Sequence, residues 1–284
     1  MSGAAHVACA PLQTADGHRF ELQQVLPPHP RARLLWLPAL GVSARHYLPL
    51  AHALAARGIA VYLHEWRGNG SSSLRASRTV DWGYREILEY DLPASHGALQ
   101  AADAAHPTVP CIIGGHSLGG QLACLHAARS TAFASLWLVA SGTPWWRGFP
   151  GVRGRLLPLA YRFLPWLAQR RGMLPGRRLG FGGNEARGLI RDWARVGLSN
   201  RYAAHGLDDD LEHALRRLDG RAHAVLLRDD WLAPERSMEG LLAKLPRMHH
   251  CTEVLSAHEL GVAADHFAWM RAPEAVADAL CRGF

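Results

Sequence analysis

The sequence predicts an α/β protein in which helices cover both faces of a mostly parallel sheet and a helical cap is inserted after the first half. Two observations support this. Short apolar runs alternate with segments of helical periodicity over residues 1–142 and again over residues 219–284. Such alternation favours parallel strands joined by right-handed helical crossovers. The chain is also 284 residues long and 49% hydrophobic, which is sufficient for one large buried core.

Each element of the first part follows from a local pattern. Residues 19–26 come after the Asp16-Gly17 turn and mix apolar with polar positions, as a half-exposed strand does. Residues 44–57 carry apolar side chains at helical spacing and stop at Gly58, a helix C-terminal signal. The same patterns predict strands over 34–40, 59–63, 109–113 and 134–139, and helices over 84–104 and 119–128.

The alternation stops between residues 142 and 219. This stretch has no strand-like run, is rich in Arg, Trp, Pro and Gly, and shows helical patterns over 155–169, 185–196 and 208–218. Alternation then resumes with strands over 222–227 and 251–255 and helices over 234–245 and 273–281. We therefore expect residues 1–142 and 219–284 to form the α/β core and residues 143–218 to form the helical cap.

The composition restricts the location and the partners. The longest apolar runs, such as residues 133–140, are far shorter than the ~18 residues that a membrane helix needs. His6 and Pro11 interrupt the alanine-rich start, and no cluster of positive charge precedes it, so a signal peptide is not expected. These features predict a cytoplasmic protein without stable membrane insertion.

Five cysteines without C-x-x-C spacing predict free thiols, mostly buried. The formal charge is +7, and the 31 basic residues include a single lysine, Lys244. No zinc-finger, KH or RRM signature accompanies this positive charge, so no nucleic-acid partner is expected.

The motif Gly115-His116-Ser117-Leu118-Gly119 lies between a predicted apolar strand and a predicted helix. A serine on a tight strand-to-helix turn needs small neighbours, because the turn brings the backbone close on both sides. The helix N-terminus that follows supplies free N–H groups and a positive dipole end, both suited to an oxyanion. The position of the motif therefore predicts that Ser117 is a nucleophile.

With these residues the sequence resembles the α/β-hydrolase superfamily, and more narrowly a bacterial group of predicted serine hydrolases within it. The resemblance covers almost the whole chain, and its motifs occur in the expected order. They are Pro38-Ala39-Leu40-Gly41, Arg67-Gly68-Asn69-Gly70-Ser71-Ser72, the serine motif, Asp229-Asp230-Trp231-Leu232-Ala233-Pro234 and Asp265-His266-Phe267. The resemblance implies a nucleophile, an acid and a histidine in that chain order.

For the acid, the family-like spacing to Pro234 favours Asp230 over its neighbour Asp229. For the base, the resemblance implies His266, which precedes a phenylalanine just before the last predicted helix, and His258 is the rival. Asp265 departs from the glycine that commonly precedes this histidine. An extra carboxylate there is expected to alter the pKa of the base or the shape of the loop.

The same resemblance implies two backbone N–H donors for the oxyanion, at Leu118 and at Leu40. The activity that it implies is hydrolysis of an acyl compound through an acyl-enzyme, and a carboxylic ester is the expected substrate. A thioesterase, an amidase or aminopeptidase, an acyltransferase and a non-catalytic binding protein stay open as alternatives. A small-molecule acyl substrate is the expected partner in each catalytic case.

The spacing of the candidate residues does not match a metal-binding or a nucleotide-binding motif. His64-Glu65 and His258-Glu259 each begin an H-E pair, but Gly68 and Val262 stand where a zinc motif needs its second histidine. The Gly-x-Gly pairs at 68–70 and 180–182 lack the rest of a dinucleotide or phosphate-binding signature. The sequence therefore predicts neither a metal nor a cofactor.

The predicted cap is strongly basic. Twelve arginines lie between Arg147 and Arg201, against two acidic residues, Glu185 and Asp192. Apolar residues also recur there at helical spacing, which predicts a helix with one apolar face and one cationic face. The simplest interpretation packs the apolar face on the core; the alternatives are an acyl pocket roofed by it, or attraction of anionic substrates or a membrane surface. These apolar residues are Leu156, Leu159, Phe163, Trp166 and Leu167.

Overall fold

An eight-stranded sheet forms the centre of the computed structural model, which describes residues 5–101, 109–130, 132–282 and 284. The strand order is β1-β2-β4-β3-β5-β6-β9-β10, and a separate antiparallel pair consists of β7 and β8. Strands β3 to β6, β9 and β10 run parallel, whereas β1 and β2 pair antiparallel at one edge. The strands are β1 (His6–Gln13), β2 (Arg19–Leu26), β3 (Ala32–Leu37), β4 (Ile59–Leu63), β5 (Cys111–His116), β6 (Ser135–Val139), β7 (Leu174–Pro175), β8 (Asn184–Glu185), β9 (Asp219–Leu227) and β10 (Arg247–Leu255).

Helices lie on both faces of this sheet, which confirms the predicted fold class. Helices α1 and α11 pack on one face, and α3 and α4 pack on the other. The helices are α1 (Leu48–Ala56), α2 (Tyr84–Glu86), α3 (Leu92–Ala101), α4 (Leu118–Ala128), α5 (Gly151–Arg171), α6 (Gly176–Leu179), α7 (Arg187–Ser199), α8 (Leu211–Arg217), α9 (Glu235–Leu242), α10 (Ala257–Leu260) and α11 (Glu274–Cys281).

The central strands are apolar because both of their faces are covered. Every residue of β3, β4 and β6 is buried, which explains why these strands read as continuous apolar runs rather than as alternating patterns. The edge strands behave differently. β10 begins at Arg247, four residues before the predicted start at Cys251, and its exposed polar residues 249–252 suit a sheet edge.

Two elements differ from the sequence prediction at the N-terminal side of the fold. β1 was not predicted; it is an exposed edge strand and contains Pro11, which the edge of a sheet tolerates. The helix predicted over residues 84–104 contains a π-helical segment, Ile87–Asp91, between α2 and α3. Residues 102–104 of that prediction lie outside the described residues.

The five cysteines are free thiols, as expected, but the prediction that most are buried is wrong. Cys124 is buried, Cys111 and Cys281 are half-buried, and Cys9 and Cys251 are exposed. The two exposed thiols lie on β1 and β10, the edge strands, where side chains face solvent. Among the described residues, no helix has the length and apolar character needed to cross a membrane.

Residues 143–218, here called the cap segment, lie between β6 and β9 in the chain. They contain α5 to α8 and, contrary to the prediction of no strand, the two-residue strands β7 and β8. Because Glu185 belongs to β8, the helix predicted from residue 185 begins at Arg187. Helix α5 packs against α7, where the Tyr161 ring meets the Trp193 ring edge-on at 4.9 Å between centroids.

Candidate active site

Ser117 occupies the sharp turn between β5 and α4. Its backbone has φ 56° and ψ −121°, a strained conformation that β-carbon-bearing residues rarely adopt. Hydrogen bonds to neighbouring strands and loops hold the turn: the Ser117 N–H donates to Val139 O at 3.1 Å, and the Ser141 hydroxyl donates to Ser117 O at 2.7 Å. The half-buried serine is thereby fixed at the carboxyl end of the central sheet.

The glycines around Ser117 are required by close backbone contacts. A Cβ on Gly115 would lie 2.5 Å from the backbone of Gly119, and a Cβ on Gly119 would collide with the carbonyl groups that end β3. Real Cβ atoms do not approach backbone this closely, so neither position accepts a side chain without movement of the turn. The small residues that the sequence motif places here therefore have a direct steric reason.

Asp230 and His266, 36 residues apart in sequence, meet at the same end of the sheet. His266 Nδ1 lies 2.7 Å from Asp230 Oδ2, and each residue is 5% exposed. The other carboxylate oxygen, Oδ1, accepts the backbone N–H groups of Leu232 at 2.8 Å and Ala233 at 3.1 Å. Trp269 Nε1 donates to His266 O at 3.0 Å and thereby anchors the loop that carries the histidine. Both oxygens of the carboxylate are engaged, which fixes its orientation toward the ring.

The rival residues lie elsewhere. Asp229 and His258 are exposed, and His258 belongs to the short helix α10. Asp265 binds the backbone that follows the histidine: its Oδ1 accepts the N–H groups of Phe267 at 2.9 Å and Ala268 at 2.8 Å. It thus caps the turn that follows His266, and this capping is the role that the structure shows for the carboxylate in place of glycine.

Leu40 and Leu118, the predicted oxyanion donors, line one cavity together with Ser117 and His266. Leu118 is the first residue of α4, so its N–H has no acceptor within that helix. Leu40 precedes Gly41, whose φ of +74° turns the chain away from β3. The structure therefore brings all five predicted site residues to one end of the sheet.

A tyrosine that the sequence did not single out connects the two sides of this cavity. Tyr47 Oη accepts the N–H of Ala39 at 2.9 Å and lies 2.8 Å from His116 Nδ1. The Tyr47 hydroxyl therefore bridges the backbone of Ala39 and the ring of His116. Burial lowers the pKa of His116 well below its usual range, so the ring stays neutral. The pair ties the Leu40 turn to the residue before Ser117, and no local sequence pattern marks Tyr47 for this role.

The cavity has a volume of about 520 Å³ and a mainly apolar wall. Helix α5 contributes its inward face, and further side chains come from the loops after β6 and β9 and from α7. Among the described residues, no Asp, Glu, Lys or Arg lines the cavity. The residues that line it are Ala39, Leu40, Ser117, Leu118, Gln121, Ala140, Gly142, Thr143, Pro144, Phe149, Leu157, Ala160, Tyr161, Leu164, Leu179, Gly180, Phe181, Gly182, Trp193, Trp231, Leu232, Ala233, Ser237, His266 and Phe267.

The apolar face of α5 that the sequence singled out does not line this cavity. Leu156, Leu159, Phe163 and Trp166 point outward and are 54%, 64%, 52% and 53% exposed. The expectation that they pack on the core or roof an acyl pocket is therefore wrong. The helix has a second apolar face, offset by one residue from the first, and that face is directed inward. It consists of Leu157, Ala160, Tyr161 and Leu164, and Leu167 packs beside it.

A buried carboxyl group lies behind the Leu40 turn. Glu185 is 2% exposed, and its Oε1 accepts the N–H of Gly183 at 2.7 Å. The backbone of Gly182 and Gly183 fills the space that a Cβ on Gly41 would occupy, so this loop of the cap segment touches the turn directly. Burial raises the pKa of Glu185 to about 7.

The arrangement has the parts that nucleophilic acyl transfer requires. A serine hydroxyl and a histidine share one cavity, and a carboxylate holds the far nitrogen of the histidine ring. Such a set can remove the hydroxyl proton and stabilise the resulting imidazolium. Backbone N–H groups at a helix start can stabilise the oxyanion that forms on attack.

Comparison with known proteins agrees with this fold. A family model described as serine aminopeptidase, S33, matches residues 28–196. A hydrolase from Pseudomonas aeruginosa PA01 superimposes with a TM-score of 0.63 at 15% identity, covering 95% of this chain and 96% of that one. The thioesterase domain from the curacin biosynthetic pathway gives 0.59 at 17% identity, covering 97% and 99%. An esterase from Pyrococcus furiosus gives 0.57 at 12% identity, covering 96% and 88%. A search of curated proteins finds no match.

Proposed function

The chain belongs to the serine aminopeptidase S33 family of α/β hydrolases, and from this premise we propose that it hydrolyses a carboxylic ester through an acyl-enzyme on Ser117. The observation that carries the proposal is the 2.7 Å contact between His266 Nδ1 and Asp230 Oδ2 at the wall of the cavity that holds Ser117. A histidine without a role in proton transfer has no need of a buried carboxylate partner, whereas Asp230 is held toward His266 by two backbone N–H groups.

In the proposed mechanism, Ser117 Oγ attacks the ester carbonyl while His266 Nε2 takes the hydroxyl proton. Asp230 holds the ring in the tautomer that leaves Nε2 free to accept it. The N–H groups of Leu40 and Leu118 donate to the tetrahedral oxyanion. His266 then protonates the leaving alcohol, and a water activated by the same nitrogen hydrolyses the acyl-enzyme.

The character of the cavity wall favours a neutral acyl group over a peptide with a free amino terminus. Recognition of an ammonium group inside a partly closed cavity requires a carboxylate or an equivalent acceptor set. The described residues that line this cavity include neither Asp nor Glu, and most of them are apolar. Burial of an alkyl chain against Leu157, Ala160 and Leu164 suits this wall better.

The experiment combines labelling with a substrate series. A fluorophosphonate probe should label the purified protein but not Ser117→Ala, in which a small side chain fits the turn and only the nucleophile is lost. Activity on nitrophenyl esters should fall by about 10⁴-fold or more in the same variant. Labelling of Ser117→Ala to the wild-type extent would refute the assignment of the nucleophile.

Parallel assays with acyl thioesters and aminoacyl amides identify the bond that is cleaved. A higher kcat/KM for either of these than for esters would replace the ester proposal with a thioesterase or an amidase on the same residues. Absence of both labelling and turnover in folded protein would favour a binding protein that retains the fold.

A further inference from the structure

The exposed apolar side chains of this protein are concentrated on one surface. Among the described residues, ten large hydrophobic side chains are exposed. Five lie on α5, three lie at the rim of the cavity, and only Val7 and Val254 lie elsewhere, on the edge strands β1 and β10. Isolated exposed apolar residues are ordinary, whereas a contiguous group marks an interaction surface. The five on α5, here called the outer stripe, are Val152, Leu156, Leu159, Phe163 and Trp166.

The outer stripe is a continuous line along the helix. Its members stand at positions i, i+4, i+7, i+11 and i+14, which one face of an α-helix brings together. The Phe163 and Trp166 rings are in contact, with 5.7 Å between centroids. The adjacent, inward face of the same helix lines the cavity, so α5 is apolar on two faces, and only the inner one is covered by the described residues of this chain.

Arginines flank the stripe on both sides. With 3.6 residues per turn, Arg153 and Arg171 project to one side and Arg155 and Arg162 to the other. All four are exposed, and Arg170 places its guanidinium carbon 5.6 Å from the centre of the Trp166 ring. Tryptophan and arginine beside aliphatic side chains on one helix face are typical of helices that lie at a lipid–water interface.

The stretch of chain that carries this charge has no acidic side chain. Residues 147–178 contain eight arginines, all of them exposed, and neither Asp nor Glu. The next acidic residues along the chain, Glu185 and Asp192, are buried. The surface therefore attracts an anionic partner and repels a second copy of itself, because a symmetric pairing of this face would set arginine against arginine.

The apolar surface continues to the mouth of the cavity. Leu179, Trp231 and Phe267 line the cavity and are still 48%, 53% and 46% exposed. Arg153, next to Val152, places its guanidinium carbon 4.7 Å from the centre of the Trp231 ring. The N-terminal end of α5, where the stripe begins, thus lies against Trp231 at the rim of the cavity.

From these observations we infer that the outer stripe and its arginines seat the protein on the surface of an anionic phospholipid bilayer, and that the cavity takes its ester from that lipid layer. The apolar side chains enter the boundary between headgroups and acyl chains, while the arginines stay at the level of the phosphates. The binding is peripheral and leaves the fold unchanged. The second part of the inference rests on the proposed esterase function, whereas the first part does not.

Vesicle sedimentation tests the surface without turnover. Ser117→Ala in an otherwise intact chain should sediment with phosphatidylglycerol vesicles and much less with phosphatidylcholine vesicles, and salt at about 0.5 M should release it. Adding Leu159→Ser and Phe163→Ser should lower the partition coefficient by about tenfold or more. Val7→Ser with Val254→Ser is the matched control for two exposed apolar side chains and should leave partition unchanged.

A second pair of variants tests the charge. Arg155→Gln with Arg162→Gln should lower partition into anionic vesicles by about fivefold for each arginine removed. Arg216→Gln with Arg217→Gln, two exposed arginines on α8, should change it by less than about twofold. Because all these side chains are exposed, unchanged thermal unfolding should accompany each loss of binding.

Several results would overturn the inference. These are absence of vesicle binding by Ser117→Ala, equal binding to both lipids, or equal effects of the stripe variants and their controls. A dimer in solution that Leu159→Ser with Phe163→Ser dissociates would assign the stripe to self-association instead. If the wild-type protein has no esterase activity but Ser117→Ala still binds vesicles, the proposed function is refuted and the membrane-binding surface is not. The converse result, activity on monomeric esters without vesicle binding, would refute the surface alone.

Discussion

Replacement of Glu185 by glutamine should make the protein more stable at alkaline pH. The carboxyl group is buried, and burial raises its pKa from an ordinary 4.5 to about 7. A glutamine has nearly the shape of the protonated acid, and its side-chain oxygen can still accept the Gly183 N–H. Glu185→Gln therefore keeps the neutral form at every pH.

The sign follows from proton binding. Between pH 4.5 and about 7 the folded wild-type protein keeps a proton on Glu185 that the unfolded chain has lost. The stabilisation of the folded state by the protonated Glu185 carboxyl is therefore fully present below pH 4.5 and is lost as pH rises through about 7. The difference between the two pKa values corresponds to about 3 kcal/mol of unfolding free energy. For a chain of this size, that is about 5 to 10 °C in Tm.

Thermal unfolding at pH 5 and pH 8.5 measures this effect. The two proteins should have similar Tm values at pH 5, and Glu185→Gln should be the more stable by several degrees at pH 8.5. Glu239→Gln, at an exposed position of α9, controls for the loss of a carboxylate. Parallel pH profiles for wild type and Glu185→Gln would refute the reasoning, because the buried carboxyl would then be titrating as it does in the unfolded chain.

Three further predictions concern the site. Asp230→Asn should lower kcat by about 10⁴-fold, because an amide favours the wrong imidazole tautomer, whereas the exposed Asp229 tolerates the same change; esterase rates that rank the two variants in the opposite order would move the acid to Asp229. Ala160→Phe should fill the cavity and cut kcat/KM for octanoyl esters by about fourfold for each excluded methylene, with acetyl esters unaffected; equal losses in Leu159→Phe, whose side chain points outward, would contradict the assigned orientation of α5. Gly119→Ala should abolish labelling by a fluorophosphonate probe and lower Tm, since its Cβ meets backbone at the end of β3; wild-type labelling of this variant would show that the turn has room to move.

The sheet was predictable because its strands are marked locally. β3, β4 and β6 are buried on both faces and read as apolar runs, and β5 is marked by the glycine-rich turn that ends it. The proximity of Asp230 and His266 could also be anticipated, since parallel strands bring the loops at their carboxyl ends together. β1 escaped prediction because an exposed edge strand with a proline has no apolar alternation to detect.

The orientation of α5 could not be predicted from periodicity. A helical repeat of apolar residues gives their spacing but not the side of the helix that the rest of the chain covers. Leu157 and Leu164 face the cavity, whereas Leu156 and Phe163, one position earlier in each case, face outward. The buried state of Glu185 depends in the same way on tertiary packing, because the glycine loop that encloses it carries no signal for burial.

The order of the site residues along the chain has a consequence for biosynthesis. Ser117 and both N–H donors precede the cap segment, whereas Asp230 and His266 follow it. β9 can join β6 in the sheet only after the whole cap segment has been made. A nascent or proteolysed chain that ends inside the cap segment therefore carries the serine hydroxyl without the base that would deprotonate it. Under the proposed function, incomplete molecules would not hydrolyse esters, and activity would begin only when the last part of the sheet has been added.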